Sequence, residues 1–125
     1  MKELNLDDPT FKWELLVTDC FYFWLCEQDK GTKNCILSAL ERLRLFGPYL
    51  ARPYADHIKG SNYKNMKELR VQYQGKVIRA FFAFDPLRKA IVLCAGDKSN
   101  DKLFYEKMLK LADKEFKNYL ASLEE

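Results

Sequence analysis

Arg70 and Arg79 are the residues whose type and spacing most directly imply chemistry. They sit in the stretch YKNMKELRVQYQGKVIRAFFAFDP, Tyr63 to Pro86, on either side of Gln74-Gly75. If those two residues form a two-residue hairpin turn, Tyr73 faces Lys76, Val71 faces Ile78, Leu69 faces Ala80, and Arg70 comes directly opposite Arg79. Like charges opposed across a strand pair destabilise it by about 0.2–1 kcal/mol, and an anion held between them removes the repulsion. A phosphodiester suits the position, because a guanidinium offers planar paired donors to phosphate oxygens. In the competing reading each arginine pairs with a carboxylate such as Glu68, or a different turn register separates the two. Pairing alone favours neither.

More cations surround the hairpin. Lys59, Lys64, Lys67 and Lys76 lie near it, against Asp56 and Glu68, which is the electrostatic footprint of a polyanion ligand or, more blandly, a solvated basic face. The later stretch GDKSNDKLFYEKM supplies Lys98, then Lys102 and Tyr105 three residues apart, a spacing that places the last two on one helical face. Tyr105 could stack on a base or exchange a proton, or simply rest on the core beside Phe104. Such groups suit RNA cleavage, in which the substrate supplies its own 2′-hydroxyl nucleophile. The protein then needs only in-line positioning, proton transfer and charge neutralisation. Lys67, read as standing beside Arg70 in a cationic cluster that lowers its pKa, is the candidate proton-transfer group. No Asp/Glu cluster suggests a metal, no Ser/His/Asp or Cys/His set is legible, and no cofactor is expected. His57 reads as a lone loop histidine.

These side chains need a scaffold. Trp13–Thr18 reads as a first strand, and Thr18–Gln28 and Lys33–Phe46 as two helices separated at Gly31. Pro48–Lys64 has no period and reads as a surface loop. The hairpin follows, with Leu69, Val71, Ile78, Ala80, Phe82 and Phe84 on the core side and the arginines on an exposed face. Ala90–Ala95 is apolar throughout, as a central strand buried on both faces would be. A final helix runs to about Leu123, capped by Asn100 or Asp101, with Phe104, Met108, Leu111, Ala112, Phe116 and Tyr119 on its apolar face. The order is β-α-α-β-β-β-α, an α+β fold in which a first strand, a helical hairpin and a C-terminal helix pack on a mainly antiparallel sheet.

The totals agree with a single folded domain over residues 1–125. A content of 48% hydrophobic and 14% aromatic residues excludes a disordered chain, and a net charge of +3 leaves the distribution of charge to decide the ligand. The apolar run FYFWLC is too short to span a bilayer and the N-terminus has no export signal, so a cytoplasmic protein without a membrane partner is expected. Cys20, Cys26, Cys35 and Cys94 are irregularly spaced, which suits reduced thiols and not a zinc site.

From Leu45 onward the segments GPYLARPYADHIKGS, NMKELR, FAFDP and GDKSNDKLFYEKM resemble, in order, the phage-related branch of the RelE/HigB toxins of bacterial type II toxin–antitoxin modules. The resemblance implies a RelE/ParE-like fold. It also implies an endoribonuclease that cuts messenger RNA on the translating ribosome, silenced by a cognate antitoxin, often a helix-turn-helix DNA-binding protein. It places the family's basic sheet positions on Lys67, Arg70 and Arg79, and its later basic and aromatic positions on Lys98 and Tyr105, with Lys102 a weaker addition. On that likeness Arg70 and Arg79 take the scissile phosphate, Lys67 activates the 2′-hydroxyl, Lys98 neutralises or protonates the leaving oxygen, and Tyr105 stacks on or orients a base. Lys59, Lys64, Lys76 and Lys102 would hold flanking RNA. The alternatives are a ParE-like toxin that inhibits DNA gyrase and an inactive RNA-binding remnant.

Overall fold

The computed structural model describes residues 2–3 and 13–124. Its elements are β1 (Lys2–Glu3), β2 (Leu15–Val17), α1 (Asp19–Cys26), α2 (Lys30–Phe46), a 3-10 turn (Gly47–Tyr49), β3 (Ala55–His57), β4 (Lys67–Tyr73), β5 (Lys76–Phe84), β6 (Ala90–Asp97) and α3 (Phe104–Ser122). The strands form one sheet in the order β1-β2-β6-β5-β4-β3. Among the described residues only β2 and β6 run parallel, and every other pair is antiparallel. The α+β architecture is the expected one, with two added edge strands, β1 and β3. The segment read as a plain loop, Pro48–Lys64, contains β3, whose three residues are too few to show a period.

Local chemistry sets the helix starts. Thr18 Oγ1 accepts from Phe21 N at 3.1 Å and donates to Leu93 O at 2.6 Å, so it caps α1 and ties that helix to β6. Asp29 Oδ1 accepts from Thr32 N at 2.8 Å and starts α2 at Lys30, three residues before the expected boundary. Gly31 is therefore inside the first turn of α2, not between the helices. A Cβ at that position would run into the Tyr73 hydroxyl, so packing and not chain reversal explains the glycine.

Both faces of the sheet are covered. One carries Leu69, Val71, Ile78, Ala80 and Phe82, as expected, against Phe21, Ile36, Leu40 and Leu43 of α1 and α2. The other carries Phe81, Ala83, Ile91 and Leu93 against Phe104, Leu109, Ala112 and Phe116 of α3. β6 is third in the sheet and buried on both faces. A register shift beside Phe81 and Phe82 leaves Leu93 as an extra residue in β6, which lets Leu93 and Cys94 both face α3. At its far end α3 is pinned by Tyr119, whose hydroxyl donates to Asp85 Oδ2 at 2.6 Å in the turn after β5.

Among the described residues no helix is long and apolar enough to cross a membrane, and no group of three or more His, Cys, Asp or Glu side chains could hold a metal ion. The four thiols are free, with Cys94 buried and Cys26 exposed.

Candidate functional site

The hairpin has the expected register: Tyr73 opposite Lys76, Val71 opposite Ile78, Leu69 opposite Ala80, and Arg70 opposite Arg79. Gln74 and Gly75 both take positive φ, 46° and 81°, the pattern of a type I′ turn whose twist matches the flanking strands. The two arginines thus share one face of the sheet, the α3 side, because Leu69, Val71, Ile78 and Ala80 alternate onto the other.

That face is not open at Arg79, which is only 2% exposed. Its neighbour on β6 is Gly96, and the absent side chain lets Phe104 close over the strand; a Cβ there would stand 3.0 Å from Phe104 Cε1. Phe81, Phe104 and Tyr105 meet edge-on or tilted, with ring centroids 5.3–6.1 Å apart. A guanidinium in such surroundings has lost its water and needs a carboxylate close by. Glu68 supplies it: Oε1 lies 3.4 Å from Arg79 Nε, within ion-pair reach although Nε itself makes no hydrogen bond. Arg79 Nη1 donates to Ile78 O at 3.0 Å. The reading of Arg79 as half of an exposed phosphate clamp is therefore corrected. It is an internal ion pair, and the competing reading with Glu68 is the one realised.

Tyr105 joins the same carboxylate, its hydroxyl donating to Glu68 Oε1 at 2.7 Å. Burial, then the bond and charge of Glu68, push the Tyr105 phenol above its ordinary pKa, with Arg79 opposing. Lys98 Nζ stands 5.5 Å from the centre of the Tyr105 ring, in cation–π range. One network thus links β4, β5, the end of β6 and the start of α3.

Arg70 sits at the rim of this network, half-buried, with no ion pair among the described residues. Asp56 lies opposite Glu68 on β3 and is gripped by Arg52, Nη2 to Oδ2 at 2.6 Å. The Arg52 hydrogen bond is the chief reason the Asp56 carboxyl lies below its ordinary range, and the charge of Arg70 adds to it.

Lys67 is not where its assigned role requires. It stands three residues before Arg70 on a strand, so the two point to opposite faces. Its amine donates to Pro48 O at 3.3 Å within a separate cavity lined by Tyr49, Ala55 and His57. Desolvation there lowers its pKa, but the cause is burial and not a cationic cluster. Lys76 is likewise displaced: its amine lies 2.7 Å from Asp29 Oδ2, tying the hairpin tip to the start of α2. Lys102 precedes α3, whose first residue is Phe104, so it shares no helical face with Tyr105. Asp101, one of the two expected caps, accepts instead from Leu103 N at 3.0 Å. Lys59 and Lys64 are exposed on the segment between β3 and β4, beside α3. In the sequence Glu68, the centre of the network, stands out only as a rival partner for the arginines. Parity along β4 was the available signal, since Glu68 and Arg70 share a face and Lys67 does not.

Residues 23–117 match the family described as phage derived protein Gp49-like (DUF891). Over 104 residues the chain is 42% identical to the candidate toxin HigB2 of Mycobacterium tuberculosis, covering 82% of this chain and 52% of that one. Over 100 residues it is 40% identical to the candidate toxin HigB3 of the same organism, covering 79% of this chain and 86% of that one. The chain thus spans about half the length of the first of these relatives and most of the second. In structure it is similar to the RelE–RelB complex from Pyrococcus horikoshii OT3, with a TM-score of 0.52, 11% identity, and coverage of 70% of this chain and 97% of that one. At that identity the likeness speaks for the fold, which is RelE-like. The chain belongs to the Gp49/HigB-like toxin family.

Proposed function

We propose that this protein is the toxin of a type II toxin–antitoxin module and acts as a metal-independent endoribonuclease on messenger RNA at the translating ribosome. A cognate antitoxin, a helix-turn-helix DNA-binding protein, holds it inactive in the cytoplasm. The observation that carries this reading is the Arg79–Glu68–Tyr105 network, flanked on the same face by Arg70 and Lys98. In it Arg70 takes the scissile phosphate and Arg79 supplies buried positive charge that holds Glu68 in place. As the 2′-hydroxyl attacks phosphorus, its proton passes to Tyr105 Oη while the Tyr105 proton passes to Glu68 Oε1. The Lys98 ammonium protonates the departing 5′-oxygen, leaving a 2′,3′-cyclic phosphate and a free 5′-hydroxyl. The Tyr105 hydroxyl already donates to Glu68 Oε1, the direction in which the relay moves its proton.

The burial of Arg79 favours a second reading, in which the network is purely structural and the face binds a protein target such as DNA gyrase. Mapping transcript ends after brief induction separates the two. Cuts confined to translated regions, abolished by Arg70→Ala, support the ribonuclease. Intact transcripts with a supercoiling defect overturn it.

A further inference from the structure

Beside α3 runs a groove of about 720 Å3. Its floor is apolar, formed by Tyr63 and Leu109. Its α3 wall carries Lys110, Lys114 and Lys117, all exposed and without an ion pair among the described residues. The other wall is the loop between β3 and β4, which carries Lys59 and Lys64. Gly60 brings this loop close to the helix: a Cβ there would stand 3.4 Å from Leu109 Cδ1. Asp113, one of the two carboxylates that line the groove, is already occupied. It accepts from Asn62 N at 2.9 Å and from the Ser61 hydroxyl, and so anchors the loop. Glu106 is the other carboxylate lining the groove, at the end next to Tyr105.

We infer that this groove is a track for single-stranded RNA running from Tyr105 toward the C-terminal end of α3. The inference rests on the ribonuclease reading, to which it adds the path of the flanking strand. Lys110 to Lys117 spans about 10 Å of helix at 1.5 Å per residue. Lysines along such a wall can follow successive phosphates, while an apolar floor takes bases that a duplex would keep stacked inside. A purely solvated lysine face would have no need of an anchored opposite wall.

The test is binding of a fluorescent single-stranded oligonucleotide with 2′-deoxy positions that prevent cleavage, followed by anisotropy over a salt series. Each phosphate neutralised on a single strand contributes about 0.7 to the slope of log affinity against log salt. The variant Lys110→Gln/Lys114→Gln/Lys117→Gln should therefore lose about 2 from that slope. Over a fourfold rise in salt the parent should weaken about 16-fold more than the variant. Arg70→Ala should lose only about 0.7. A triple variant with the parent's slope and affinity overturns the track. An equal loss with double-stranded RNA overturns its assignment to single strands. A parent that cuts no transcript yet shows the lysine-dependent slope refutes the ribonuclease and leaves the track standing.

Discussion

Replacing Glu68 with alanine strips the buried Arg79 of its carboxylate and leaves the Tyr105 hydroxyl without its acceptor. The side chains of Arg79 and Glu68 are 2% and 8% exposed, so water cannot take over without opening the structure. Breaking a buried pair from one side costs about 3–5 kcal/mol, mostly because the remaining charge is uncompensated. A chain of 125 residues has a melting entropy of about 0.26 kcal/mol/K at ~2.1 cal/mol/K per residue, so Tm should fall by about 11–19 °C. Denaturant titration with a spectroscopic melt measures both quantities. The double variant Glu68→Leu/Arg79→Met removes both charges while filling the space, and should recover to within about 1 kcal/mol of the parent. A cost below about 1 kcal/mol for Glu68→Ala, or a double variant no better than the single one, would mean that Arg79 is hydrated or paired elsewhere, and the internal ion pair would fall. The measurement also bears on function, because loss of toxicity in Arg79→Ala reports on the site only if the variant is still folded.

Lys67→Met should keep most of any RNA-cutting activity while Arg70→Ala loses it, since the two point to opposite faces; equal loss in both, measured on folded protein, would contradict the geometry. Gly47→Ala should cost about 1–3 kcal/mol in a thermal melt, because Gly47 has φ +56° and a Cβ there would press into the Trp13 ring. An unchanged Tm would refute that packing. Stability should also fall as pH climbs past about 10, where unfolded tyrosines ionise. Burial first, and then Glu68 and Asp85 respectively, hold Tyr105 and Tyr119 protonated to higher pH in the folded state. The unfolded chain therefore sheds its protons first, and the stability present below that pH is lost as the pH rises toward the folded values. Tyrosinate absorbance should show these two ionising together with loss of circular dichroism, and gradual titration of all seven tyrosines in a folded chain would refute it.

The sequence alone determined the hairpin and its pairing. Gln74-Gly75 dictates the turn, the turn dictates the register, and the register puts Arg70 opposite Arg79. Strand parity, also in the sequence, separates Lys67 from that pair, although proximity along the chain suggested the opposite. The resemblance of GPYLARPYADHIKGS, NMKELR, FAFDP and GDKSNDKLFYEKM to the RelE/HigB toxins is likewise carried by the sequence alone. What only the tertiary structure decided is which charges remain free. Arg79 is buried because Gly96, from β6, leaves room for Phe104 and Tyr105, from α3, to close over it, and because Glu68 stands within reach. Lys76 is consumed by Asp29 at the start of a helix 47 residues away in sequence. Alternation and turn chemistry act between near neighbours and can be read along the chain. Desolvation is imposed by whatever distant segments pack on top, so whether a guanidinium waits for a phosphate or already has its counterion is settled only when the helix docks.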